Sequence, residues 1–93
     1  MSGNELYEEC SATGVDKSAK HVACMAYVTG VLDTLGLAQT AGRDGANVCL
    51  PGGVTRRQMG DVVKLYLERN PQERHRDAAS LAAQALAQAF PCP

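Results

Sequence analysis

The chain has 93 residues, a net charge of −1 and a pI near 6.0. That is enough for one domain, and it lacks the global basic field that would attract nucleic acid or anionic lipid. No stretch reaches the ~20 uninterrupted apolar residues that a membrane span needs. The 45% hydrophobic content, rich in alanine and only 4% aromatic, suits closely packed helices.

A core this small barely offsets the entropy of ordering the chain. The four cysteines are the expected reinforcement. An even count in a short chain implies two bridges and an oxidising compartment, against the alternative of a cytosolic protein with free thiols. Met1-Ser2-Gly3 leads straight into a polar segment with no visible signal peptide. Met1 is therefore read as a start residue placed on a mature secreted chain.

The first predicted helix follows Ser2-x-x-Glu5, which has capping-box form, and runs to about Cys10 or Ser11. Leu6 and Cys10 share its inner face, with Tyr7 beside them. Thr13-Gly14 ends it, and Asp16 is placed to cap the next helix. Helix two spans roughly residues 17–41, with Cys24, Tyr27, Val28, Val31, Leu32 and Leu35 recurring at helical spacing toward the core. Ala26, Gly30 and Asp33 form an adjoining stripe. A helix-interior glycine costs about 1 kcal/mol relative to alanine, so Gly30 marks either close approach of a neighbouring backbone or simple tolerance.

Residues 42–54 contain four glycines and a proline and read as a loop. The apolar run Val48-Cys49-Leu50 predicts that this loop is pinned onto the helices. Thr55-x-x-Gln58 is a second capping box. It opens a third helix whose stripe is Met59, Val62, Val63, Tyr66 and Leu67. Asn70-Pro71 stops that helix, because proline disfavours helical backbone in the residue before it. A short charged connection over 70–76 leads to Asp77, a cap for a last helix with Ala78, Leu81, Ala82, Ala85, Leu86, Ala89 and Phe90 on one face. The expected fold is one all-α domain over residues 1–93, a small four-helix bundle stapled by two disulfides.

Four cysteines allow three pairings. Cys10 ends helix one and Cys24 lies two turns into helix two, so their pairing staples an antiparallel hairpin. Cys49 with Cys92 then ties the loop and the C-terminus to the bundle, and this pairing is the one expected. A metal site is the rival, since His21 and Cys24 stand at i, i+3 and Cys10 could join them. Structural zinc wants four ligands in two tight pairs, and no second pair exists, so no metal or other cofactor is expected. A hydrolase needs a nucleophile beside an activating base. His21 and His75 are the only histidines, and no G-x-S-x-G, H-E-x-x-H, Walker or dinucleotide motif is present. The expectation is a binding protein with no catalytic residues.

Arg56, Arg57, Lys64, Arg69, Arg74 and Arg76 crowd the third helix and its exit. Their alternation with Asp61 and Glu68 is the habit of a solvated helix. Without aromatics for stacking they make a poor nucleic-acid surface, but a reasonable patch for an acidic or carboxylate-bearing groove on another protein.

Cys24-x-x-Tyr27-x-x-Gly30-x-x-Asp33 resembles the core pattern of the Rap/Tai-type immunity proteins of bacterial type VI secretion systems. The resemblance continues in Val48-Cys49-Leu50-Pro51, Gly53-Val54-Thr55, Gln58, Val62-Val63, Tyr66-Leu67 and Pro71. It closes with Arg74-His75, Ala78-Ala79, Leu81, Ala85-Leu86 and Ala89-Phe90-Pro91-Cys92. Two departures stand out: Gly52-Gly53 replaces what is often proline followed by an acidic or polar residue, and Asn70 stands where histidine is common.

The resemblance implies a periplasmic protein that neutralises a secreted toxin, in the best-known members a peptidoglycan amidase. It also implies a homodimer and a protruding loop that blocks the amidase cleft. The contacts expected here are Arg69, Gln72, Glu73, Arg74, His75 and Arg76 in the 69–76 connection. Arg43, Asp44 and Asn47 in the glycine-rich loop come second. Neither nucleic-acid binding nor membrane insertion is expected. Because the family fold also looks similar to small periplasmic acid-stress chaperones, an acid-activated holdase is the alternative function, with a structural envelope interaction protein third.

Overall fold

The computed structural model describes the backbone of residues 1–40 and 48–93, and the side chains of residues 1–35 and 48–93. Among these residues lie four α-helices, α1 (Gly3–Cys10), α2 (Lys17–Thr40), α3 (Arg56–Arg69) and α4 (Ala78–Ala89), with a 3-10 turn at Pro71–Glu73. Each helix touches the other three, which defines a four-helix bundle. Among the described residues no helix is long and apolar enough to cross a membrane.

Local chemistry sets the helix ends. The Ser2 hydroxyl accepts from Glu5 N at 3.2 Å while the Glu5 carboxylate accepts from Ser2 N at 3.1 Å, so the first capping box forms in full. Gly14, at φ +90°, turns the chain in the left-handed region that glycine enters without penalty. The Asp16 carbonyl then accepts from Lys20 N and closes the first turn of α2. Thr55 accepts from Gln58 N at 3.0 Å, but the reciprocal bond from Gln58 is not made, so the second box is only half built. Asp77 caps α4 by accepting from Ser80 N at 3.0 Å.

The apolar stripes meet where helical periodicity places them. Leu6, Val28, Val63, Leu67, Leu81 and Leu86 are fully buried, with Cys24, Met59, Ala78, Ala82 and Ala85 beside them. Tyr27, Val31, Leu32, Leu35, Val62 and Tyr66 are half-buried around this cluster. Two expectations fail at the periphery. Ala89 is exposed, because it sits at the open rim of the α3–α4 groove beside Val62 and Tyr66. Leu50 is also exposed, while Val48 beside it is buried. The loop is pinned through Val48, which bridges to Pro91, and through Cys49 N, which donates to Phe90 O at 2.9 Å. The segment is tied down by backbone and sulfur, not by its whole apolar run.

Both expected disulfides form. Cys10–Cys24 joins α1 to α2 and Cys49–Cys92 joins the loop exit to the C-terminus, with sequence separations of 14 and 43. In the chain-entropy account, closures of these lengths stabilise by about 3 and about 4 kcal/mol respectively. That is a large share of what a domain this size retains.

Gly30 meets nothing within 4 Å of where a Cβ would stand. Among the described residues nothing approaches that position, so packing between them does not explain the glycine.

Candidate functional site

The 69–76 connection is a tightly bonded turn. Asn70 ends α3 with its amide Nδ2 donating to Tyr66 O at 2.8 Å, and Pro71 then enters the 3-10 turn. Within the turn Glu73 N donates to Asn70 O, Arg74 N to Pro71 O and Arg76 N to Glu73 O, at 3.0, 3.3 and 3.0 Å. Three of the five backbone donors of residues 72–76 are thus satisfied locally, which restricts the segment's freedom.

A clamp from the opposite end of the chain completes it. Gly3 N donates to Arg76 O and Asn4 N to Arg74 O, both at 2.8 Å, and Ala78 N donates back to Met1 O at 2.9 Å. Ser2 and Asp77 pair as an isolated antiparallel bridge. The approach is so close that a Cβ on Gly3 would stand 2.8 Å from the Arg74 carbonyl oxygen. Sequence reasoning did not find this docking, since nothing in the spacing of Met1–Asn4 names a partner seventy residues away.

The turn sorts the expected contact residues by exposure. Arg69, Gln72, His75 and Arg76 are exposed, whereas Glu73 and Arg74 are half-buried. The Arg74 guanidinium lies over the Tyr7 ring, 4.3 Å from its centroid, and its Nε is buried with no hydrogen-bond partner among the described residues. Arg76 Nη1 donates to the Glu73 carboxylate at 2.8 Å, and this hydrogen bond raises the Arg76 pKa further. Arg74 therefore braces the turn against α1, while the outward charge is carried by Arg69 and the Arg76–Glu73 pair. Arg43, Asp44 and Asn47 lie outside the described residues.

Several concavities flank α2, and two of them are the larger. One, of about 520 Å³, lies between α2 and α3 and is lined by Lys17, His21, Arg57, Asp61 and Lys64. The other, of about 590 Å³, runs between α2 and α4 past Ala26, Tyr27, Gly30, Val31 and Ala79. Burial, then the Asp77 charge, raises the Tyr27 phenol above its ordinary pKa.

The sulfurs of Cys10 and Cys24 are bonded to each other, and His21 Nε2 is hydrogen-bonded to Ala12 O at 2.9 Å, so the candidate metal ligands are already engaged. Among the described residues no group of three or more His, Cys, Asp or Glu side chains converges. The described residues form a disulfide-braced helical scaffold that carries a charged, internally hydrogen-bonded turn between α3 and α4.

The chain belongs to the Rap1a immunity proteins, whose family profile matches residues 2–92. It is accordingly a non-catalytic immunity protein of the class linked to type VI secretion toxins. The curated proteins contain no match to the chain. Family membership selects the immunity reading over the acid-activated holdase.

Proposed function

We propose that the protein acts in the periplasm by seating its 69–76 turn in the active-site cleft of a cognate secreted toxin, a peptidoglycan amidase. The observation that carries this reading is the clamp. Backbone bonds from Gly3 and Asn4 hold a turn whose Arg69, Gln72, His75 and Arg76 side chains face solvent. A projection ordered before binding loses little entropy on binding, which favours a tight steric plug. An interface of about 800 Å² per partner, with most of the energy in a few anchors, is the size such a complex needs. The two disulfides support an oxidising compartment.

The test uses the oxidised protein and the toxin encoded beside it, in a binding assay and a peptidoglycan-hydrolysis assay. Arg69→Glu with His75→Glu should abolish inhibition while the melting temperature stays unchanged, because both side chains are exposed. Unchanged inhibition would move the contact away from this turn. Arg74 is a poorer probe, since its stacking on Tyr7 couples it to the fold.

The homodimer implied by the resemblance is proposed to close over the α2–α4 groove. Support comes from the open space beside Gly30 and the small apolar lining of Ala26, Val31 and Ala79. Gly30→Glu should shift sedimentation from dimer to monomer; a wild-type protein that sediments as a monomer at high concentration would remove the proposal.

A further inference from the structure

The basic residues of α3 do not form one patch. Arg56 lies by a separate groove with Asp33, and Arg69 by the α3–α4 groove. Arg57 and Lys64 instead turn toward α2 and meet Lys17 across the 520 Å³ concavity. Arg57, Asp61 and Lys64 share one face of α3 at i, i+4 and i+7, while Lys17 and His21 share a face of α2 at i, i+4. Gly60 lets the two helices approach there, with its Cβ position 3.6 Å from Cys24 Sγ. The Cys10–Cys24 bridge forms part of the floor.

The charge balance of this concavity is opposite to that of the chain. Lys17, Arg57 and Lys64 are positive and Asp61 negative, a local surplus of two positive charges (three minus one) on a protein of net charge −1. Among the described residues the ion pairs are Lys20–Glu8 and Arg76–Glu73, and neither involves a cation of this concavity. Arg57 and Asp61, one helical turn apart, do not pair either. Unpaired like charges gathered around one concavity raise the local positive potential and favour an anionic occupant. The concavity is within the range of about 300–1,000 Å³ in which ligand sites fall.

We propose that this concavity is a second docking site, which takes an acidic segment of a protein partner and pairs its carboxylates with Lys17, Arg57 and Lys64. No residue of the 69–76 turn lines it, so the proposal stands apart from the reading of that turn. A protein segment is favoured over nucleic acid because the lining contains no Phe, Tyr or Trp ring on which a base could stack. His21, whose Nε2 is hydrogen-bonded to the Ala12 carbonyl, lines the wall. Asp61 is the one group that opposes the occupant, so it sets a limit on affinity that substitution can lift.

The experiment titrates the oxidised full chain, labelled for amide NMR, with a terminally blocked hexaglutamate peptide, with the hexaglutamine peptide and inorganic phosphate as controls. Hexaglutamate should give saturable shifts grouped on residues 17–21 and 57–64, weakening as salt rises. Lys17→Glu, Arg57→Glu and Lys64→Glu should each weaken binding by about two- to fivefold, the scale of exposed ion pairs, and Asp61→Asn should tighten it. Arg69→Glu with His75→Glu, the variant that tests the turn, should leave this binding unchanged. The proposal is overturned if shifts spread evenly over all cationic positions, or if the lysine and arginine variants bind as wild type does. It is equally overturned if phosphate produces the same shifts as tightly, or if the uncharged peptide binds equally well. Wild-type salt dependence decides the matter even if one variant misfolds.

Discussion

Two buried helical glycines should respond to alanine with opposite signs. A Cβ on Gly3 would stand 2.8 Å from the Arg74 carbonyl oxygen, well inside contact distance. The Leu81 side chain would be struck as well, but the Arg74 backbone is the obstacle that cannot step aside without loosening the Gly3 N–Arg76 O and Asn4 N–Arg74 O bonds, both 2.8 Å. Overpacking of this kind costs about 1–3 kcal/mol. Gly3 stands in the first turn of α1, where the propensity gained from alanine offsets only part of that. A net loss of about 1–2 kcal/mol corresponds to a melting temperature lower by roughly 4–16 °C for a domain of this length.

At Gly60 the new methyl would lie 3.6 Å from Cys24 Sγ and from Met25 Cγ, ordinary van der Waals contact. There the propensity gain of up to about 1 kcal/mol remains, for a rise of roughly 4–8 °C. Thermal melts of the two oxidised variants, followed by circular dichroism, read this directly. If Gly3→Ala melts at or above wild type, the clamp is not close-packed and its role in holding the turn fails. If Gly60→Ala melts lower, the α2–α3 crossing is tighter than 3.6 Å allows.

Acid should weaken the protein through its helix caps. Hydrogen bonds from the Ser2 backbone and hydroxyl hold Glu5 below its ordinary 4.5, and the bonds from Ser80 hold Asp77 below 3.8. Depressed carboxylates contribute stability that is fully present above those ordinary values and is lost as pH falls through the lower folded ones. Melting temperature should therefore stay flat with respect to these two groups from pH 7 to 5 and fall below about pH 4.5; Glu5→Gln with Asp77→Asn should flatten that acid limb. Asp77→Ala should cost about 0.5–2 kcal/mol in urea unfolding by removing the α4 cap, and an unchanged midpoint would contradict the bond to Ser80 N. Cys49→Ser with Cys92→Ser should cost about 4 kcal/mol at a separation of 43, more than the Cys10–Cys24 closure at 14. Equal losses after correction for the buried Cys24 would argue against chain entropy as the source.

The helices and their inner faces were legible in the sequence because each rests on local chemistry, and the Cys10–Cys24 pairing followed from the hairpin it staples, which left Cys49 with Cys92. Ser2, Thr55 and Asp77 announce helix starts through side chains that reach only three residues ahead. Leu6, Val28, Val63 and Leu81 fall inside because helical period alone selects a face. The same period misplaced Ala89, since it selects a face without saying where the neighbouring helix stops covering it.

What the sequence by itself determined was therefore the bundle and its staples, both functions of spacing and residue type. Only the tertiary structure decided which elements meet. It set Gly3 against Arg74 and left Gly30 in open space, although both are glycines in helices. It turned Arg74 inward onto Tyr7 while leaving Arg69 and His75 outside. It also divided one basic row of α3 among three grooves. Such pairings depend on helix crossings between residues far apart in the chain, where small rotations choose the neighbour, and no periodic signal in one helix encodes the partner it will touch.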